Sequence, residues 1–325
     1  LKTPKDIFKD ARVYLFTLFL GTPFIIFYNW LSSLLRAVGD SKTPFAFLAF
    51  STLLNIVLDL LFIVCFKMGV FGAAFATVIS LFISGLLCAL YIRLKFDILR
   101  LRKGDRFFDP KAAKTLLSIG VPMGLQFSIT AVGSMIMQAA NNALGTVYVS
   151  AFSAASKIKQ FAISPFDALA TSVSTFASQN YGAHKFDRIK KGFLQGIAAG
   201  LVLGALLAFV LTVFGRELSM IFISADNVEI LDASKKFLFI SGFFYPIISL
   251  LNVSRLTVQG LGFSNRAIYS GIIEMAARIV VSFCLVSAMG WTAICFCDQT
   301  AWVGATVFIF PYCVHLIKRL QKAAR

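Results

Sequence analysis

The chain has 325 residues, of which 58% are hydrophobic and only 14% charged, with a mean hydropathy of +0.82. A soluble globular chain carries roughly 25% charged residues, so most of this sequence requires an apolar solvent. The formal net charge of +16 would point to nucleic acid in a soluble protein, but the basic residues here lie between apolar segments, where they act as topology signals and anionic-lipid contacts.

Residues 1–12 are charged, lack an initiator Met and lack the apolar core of a signal peptide. They read as a loop, and the sequence as a fragment that begins in one. Apolar segments follow at 12–37, 43–66, 69–95, 112–141, 145–179, 187–215, 233–260, 265–288 and 291–317. Each has the length of a bilayer span, about 20 residues or more. The polar faces that a soluble helix shows at period 3.6 are mostly missing. Pro23, Pro122, Pro165, Pro246 and Pro311 fall inside segments, which membrane helices tolerate. The fold class is therefore an all-α polytopic membrane protein with nine transmembrane helices.

The loops alternate in charge. Residues 93–114 carry eight Lys and Arg, the loop near 142–147 none, and 184–191 four. The basic tail 318–325 carries four more. The positive-inside rule places these richer loops and the C-terminus in the cytoplasm. Nine spans then start residue 1 outside, which Lys2, Lys5, Lys9 and Arg12 fit poorly, although Asp6 and Asp10 offset part of that charge.

Six cysteines (Cys65, Cys88, Cys284, Cys295, Cys297, Cys313) lie inside apolar segments and are expected to be small buried hydrophobes. Cys295 and Cys297 do not have metal-knuckle spacing. His184 and His315 are expected at helix ends, with no metal site and no cofactor.

Sliding the chain by 223 residues aligns two stretches. YLFTLFLGTP (14–23) lies over FLFISGFFYP (237–246), Pro23 over Pro246, Asn29 over Asn252, Gly39 over Gly262 and Ser41 over Ser264. Past a two-residue indel, Met68-Gly69 lies over Met289-Gly290. Repeats in one direction are a recurrent device of secondary transporters. The second copy has three helices (112–215) ahead of its matched part, so three are expected ahead of residue 1, completing two six-helix lobes.

LLRAVGDSKTP (34–44), LLNIVLDLLFI (53–63) and GVFGAAFATVIS (69–80) resemble the fourth-to-sixth helix region of the MATE (multidrug and toxic compound extrusion) family. SIGVPMGLQ (118–126) and ASQNYGAHK (177–185) resemble its second lobe. The resemblance implies a twelve-helix, two-lobed fold that exchanges Na⁺ or H⁺ for an organic substrate by alternating access. Residues 1–95 would be the second half of the N-lobe, 96–111 a cytoplasmic linker and 112–317 the C-lobe. Thr130 stands where the NorM branch has a glutamate eight residues after the helix-seven proline, so the second lobe is closer to the DinF-like branch.

An ionisable residue inside a membrane helix costs about 2.5–3.5 kcal/mol even on lenient scales and marks a functional candidate. Asp59, Glu274, Arg278 and Asp298 qualify; Lys67 and Lys95 sit near helix ends and can snorkel. Asn55 and Asp59 share one helix face at i,i+4. Their oxygens suit Na⁺, or the carboxylate can carry a proton. Thr77 on the next helix can add a hydroxyl. In the archaeal members of the family this Asn-x-x-x-Asp pair and Thr line the cation pocket. The alternative is a buried Asp bonded to neighbouring helices. The repeat maps Asn55 onto Arg278, Asp59 onto Ser282 and Thr77 onto Asp298, which suggests a fixed guanidinium in the second lobe with Asp298 or Glu274 as counter-charge. The alternative there is a set of charges lining the substrate cavity. Gln126, Asn141, Asn142 and Asn180 are candidates for cavity lining or helix packing. Lys157 and Lys159 interrupt an apolar run and have no assigned place.

The leading expectation is cation-coupled export of organic, often cationic, compounds by a monomer in the cell membrane, with small organic substrates and lipid as its partners. A lipid-linked oligosaccharide or lipid flippase is the alternative. It would need a cationic cavity, for which Arg255 and Arg278 are the obvious inner bases. An enzyme is excluded for want of a nucleophile, base or metal cluster.

Overall fold

A computed structural model describes residues 5–100 and 108–323. No strand occurs among them. The helices are α1 (Lys5–Ala37), α2 (Lys42–Leu60), α3 (Gly69–Lys95), α4 (Pro110–Asn142), α5 (Thr146–Gly182), α6 (Phe186–Met220), α7 (Val228–Phe243), α8 (Tyr245–Gly260), α9 (Ser264–Val280), α10 (Val286–Met289) and α11 (Trp291–Ala323). A π-helical turn, Leu61–Cys65, extends α2, and a second, Val281–Leu285, joins α9 to α10. The contacts divide the chain into two compact units, Leu1–Phe108 and Asp109–Arg325. Seven of the sixteen residues of the expected linker 96–111, residues 101–107, lie outside the described residues.

Among the described residues seven helices are long and apolar enough to cross a membrane, or eight if the bent pair α7–α8 is counted as one span. The expected single helix 233–260 is thus a correction. It begins at Val228 and breaks at Phe244 with a bend of 53°. Pro246 sits in the first turn of α8, where its missing N–H is not needed. The α6 backbone approaches this bend at Gly204, where a Cβ would lie 2.8 Å from the Pro246 nitrogen. Close backbone approach of this kind drives helix association where lipid tails are as apolar as the side chains. By contrast, α1 runs unbroken through Pro23. The remaining rod, α5, has 37 residues but is more polar, carrying Lys157, Lys159 and Asp167; its polar residues have specific uses described below.

In the first unit, α3 packs on α1 and α2 around Tyr28, Leu31, Leu35, Cys88 and Ile92. In the second, α11 packs against α7, α8 and α9 around an aromatic core. There Tyr245 lies edge-on to Phe166 at 5.8 Å, and Trp291 stacks on Tyr148 at 5.2 Å. Large apolar side chains on the outside, such as Phe19, Phe45, Phe161 and Phe283, are more than 70% exposed. A water-soluble protein does not present such a surface; lipid accommodates it. Two cysteines correct the expectation of burial, since Cys65 and Cys284 are exposed while the other four are buried. His184 terminates α5 with φ +56° and packs edge-on to Phe186.

The backbone carries marks of the repeat. Gly39 and Gly262 have φ of +92° and +90°, and Gly69 and Gly290 have φ of +57° and +53°. These are conformations that favour glycine, at the separations of 223 and 221 residues found in the sequence. The two π turns also fall at corresponding places, each shortly before the second glycine of its copy.

Candidate ion and substrate site

Five ionised side chains in the second unit form one ladder. Arg255 on α8 donates to Glu274 Oε1 on α9. Arg278 Nη2 donates to Glu274 Oε2 at 3.4 Å, and Arg278 Nε to Asp298 Oδ1 on α11 at 2.9 Å. Lys159 Nζ on α5 donates to Asp298 Oδ2 at 2.6 Å. The Lys159 ammonium also lies over the rings of Phe237 (5.3 Å) and Phe152 (5.8 Å), a favourable site for a cation. The ladder ties α5, α8, α9 and α11 together. All four oxygens of its acids are engaged, which is the condition under which buried carboxylates can remain ionised.

The sequence expectation placed Glu274, Arg278 and Asp298 together, and they do meet. Lys159 and Arg255 as ladder members were not foreseen. The available signal was an unexplained charge inside an apolar run, the same signal that singled out the other three. The ladder lines a cavity of about 350 Å³ walled by α4, α5, α8, α9 and α11. Thr130 is also at its edge, its carbonyl 3.4 Å from Arg278 Nη1. Lys157 points elsewhere, 5.0 Å from the Phe222 ring centre.

Gln126, Asn141 and Asn180 do not line this cavity. Gln126 is fully buried and donates to Thr130 Oγ1 (3.2 Å), while Gln259 donates to its Oε1 (3.4 Å). Asn180 Nδ2 donates to the Phe176 carbonyl at 2.8 Å. Asn142 accepts from Gln138. These are contacts within and between helices, of the packing kind expected for them as the alternative to cavity lining. Asn141 is buried with both side-chain polar atoms unpartnered.

The first unit is arranged differently. Asn55 and Asp59 lie one turn apart on α2, both half-buried, and Asn55 Nδ2 and Asp59 Oδ1 are buried without a hydrogen-bond partner. Thr77 on α3, which packs on α2, turns its hydroxyl to the Ala73 carbonyl at 3.1 Å. Asp59 forms no ion pair among the described residues. The alternative expectation for it, an Asp satisfied by neighbouring helices, has no partner for Oδ1 among the described residues.

The MatE family model matches residues 1–61 and 122–284. The chain belongs to the MATE family. Two curated relatives from Bacillus subtilis (strain 168) are probable multidrug resistance proteins. YpnP is 34% identical over 266 residues, covering 81% of this chain and 58% of its own length. YoeA is 28% identical over 267 residues, covering 80% and 57%. The chain thus spans under three-fifths of either relative. A crystal structure of MATE in the bent conformation has the same fold, with a TM-score of 0.88 over 99% of this chain and 72% of that one at 19% identity. MATE members are transporters, not enzymes, and this chain is a multi-pass membrane protein of that multidrug efflux family. These relatives do not favour the flippase alternative.

Proposed function

We propose that the chain works as part of a cation-coupled antiporter that exports small organic compounds by alternating access, with Asp59 as the group that takes Na⁺ or H⁺. The observation that carries this reading is the unpartnered Asp59 Oδ1 within a membrane span, one turn from Asn55. A lone carboxylate there costs several kcal/mol unless a cation or a proton joins it. Asn55 can turn its amide oxygen to such an ion, and Thr77 can add a hydroxyl oxygen. The repeat supports the grouping. Arg278 and Asp298, which occupy the places matching Asn55 and Thr77, are in direct contact at 2.9 Å.

In this reading the second unit is a static copy, whose cation is a fixed guanidinium held by Glu274 and Asp298. In this reading the C-terminus is cytoplasmic, which the basic segments support. Thr130, in the place of the NorM-branch glutamate, favours the DinF-like branch. Ethidium efflux from cells, measured with Na⁺ and pH gradients imposed in turn, tests the assignment. Asp59→Asn is expected to abolish the ion dependence while the protein still reaches the membrane. Unchanged ion-dependent efflux would remove Asp59 from the coupling role.

A further inference from the structure

The cavity beside the ladder has an excess of positive charge and of unused donors. Its wall holds three bases, Lys159, Arg255 and Arg278, against two acids, Glu274 and Asp298. Arg255 is 7% exposed, and its Nε is buried without a partner. Ser156, on the same wall, has a buried and unpartnered hydroxyl. Both free groups can donate a hydrogen bond. A further acid, Asp167 on α5, is exposed, does not line the cavity, and has its Oδ1 occupied by the Asn252 amide at 2.8 Å. The rest of the wall is mixed: Phe152, Ile248, Leu251 and Trp302 give it an apolar and aromatic part, beside neutral polar side chains such as Gln138 and Gln160.

We infer that this cavity is a binding site for the carboxylate or phosphate group of a small amphiphilic compound, with Arg255 Nε and the Ser156 hydroxyl as its donors. A buried donor without a hydrogen-bond partner is costly, and an anionic oxygen supplied by a ligand offsets that cost. An Arg donor held in place by Glu274 is already oriented, so little entropy is lost on binding. The apolar and aromatic part of the wall takes the ring or chain that carries the anion. A bare organic cation is disfavoured here for the same reason that an anion is favoured. The inference rests on the export reading only in making the bound compound a transported one.

Anthranilate and its neutral amide, anthranilamide, are near-isosteric fluorescent probes that fit such a cavity. Binding is measured on the purified protein in phosphatidylcholine nanodiscs, with no ion gradient, so the outcome is separate from that of Asp59→Asn. Anthranilate is expected to bind saturably and about tenfold or more tighter than the amide, the effect of a charge-assisted hydrogen bond. Arg255→Gln should abolish the preference and Arg255→Lys should keep most of it. If Arg255→Gln does not fold, Gln138→Glu decides. Gln138 is on the wall but outside the ladder, so the substitution adds a counter-charge and should weaken anthranilate by about tenfold. Repeating the titration with phosphatidylglycerol in the discs distinguishes the sources. Lost anthranilate binding assigns a lipid phosphate to the same site, and retained binding assigns a dissolved compound. Equal affinity for acid and amide, no saturable binding of anthranilate in phosphatidylcholine, or indifference to Gln138→Glu would overturn the inference.

Discussion

At matching positions of the repeat, the first unit holds Asn55 and Thr77 where the second holds Arg278 and Asp298, and Asp59 where the second holds Ser282. The surrounding backbone is alike, with paired positive-φ glycines and a π turn in each copy. The side-chain chemistry is not. In the second unit every acid in the ladder has two basic partners. In the first, a carboxylate oxygen is buried without any. Among the described residues the Ser282 hydroxyl has the Cys297 thiol as its partner, at 3.8 Å. A satisfied ladder holds helices in place. An unsatisfied carboxylate leaves one position where occupancy can change, which a coupled transporter needs.

The hardest test of this contrast is to break the ladder. Asp298→Asn removes the acid shared by Lys159 and Arg278 and leaves a buried ammonium without a counter-charge. Loss of one partner of a buried pair costs about 3–5 kcal/mol, so thermal unfolding in detergent should shift down clearly. The ion dependence of efflux by the protein that does fold should persist. A stable Asp298→Asn protein with no ion dependence would make the second unit the coupling site instead.

The converse change builds the second unit's device into the first. Asn55→Arg places a guanidinium one turn before Asp59, where Arg278 stands in the other copy. The new pair should hold Asp59 as Glu274 is held, and ion-dependent efflux should fall to background. The stability cost should remain under about 2 kcal/mol, because the introduced charge has a carboxylate partner. Retained coupling in Asn55→Arg would show that the two copies are not equivalent at this position.

The rods were legible because lipid demands long apolar runs, and charge in such a run stands out. That is why Glu274, Arg278 and Asp298 could be named together from the repeat. Lys159 could not be paired with Asp298, 139 residues away, because helix packing brings them together and the sequence does not state which faces meet. Arg255 was visible as an inner base, but its bond to Glu274 depends on which faces of α8 and α9 meet. Pro246 alone did not announce the bend at Phe244, since Pro23 in the same register leaves α1 continuous. What differs is the neighbour: Gly204 on α6 gives Pro246 a backbone-close contact. Gln126 and Asn180 were open to cavity lining or helix packing because an amide in a membrane helix needs a partner; Thr130 and Gln259 serve Gln126 and the Phe176 carbonyl serves Asn180, neighbours that only the packed structure reveals.

The mildest test concerns the turn that enters the second helix of each copy. Asp40 Oδ1 accepts the Thr43 amide at 3.0 Å at the start of α2, whereas the matching Phe263 gives α9 no side-chain cap. Partial burial raises the Asp40 carboxyl, but the hydrogen bonds from the Thr43 amide and hydroxyl and from Tyr91 outweigh it and hold it below its ordinary value of 3.8. A carboxyl lowered on folding stabilises the folded state above its unfolded value, and the contribution is lost as pH falls through the folded one. Asp40→Ala should therefore lower stability by about 0.5–1 kcal/mol near neutral pH, the ordinary effect of losing such a cap. The gap between the two proteins should close as the pH is taken well below 4, because the protonated Asp40 no longer attracts the helix start as an anion does. If the gap is the same at both pH values, the Asp40 side chain acts through packing rather than charge, and the capped and uncapped entries of the two copies are equivalent.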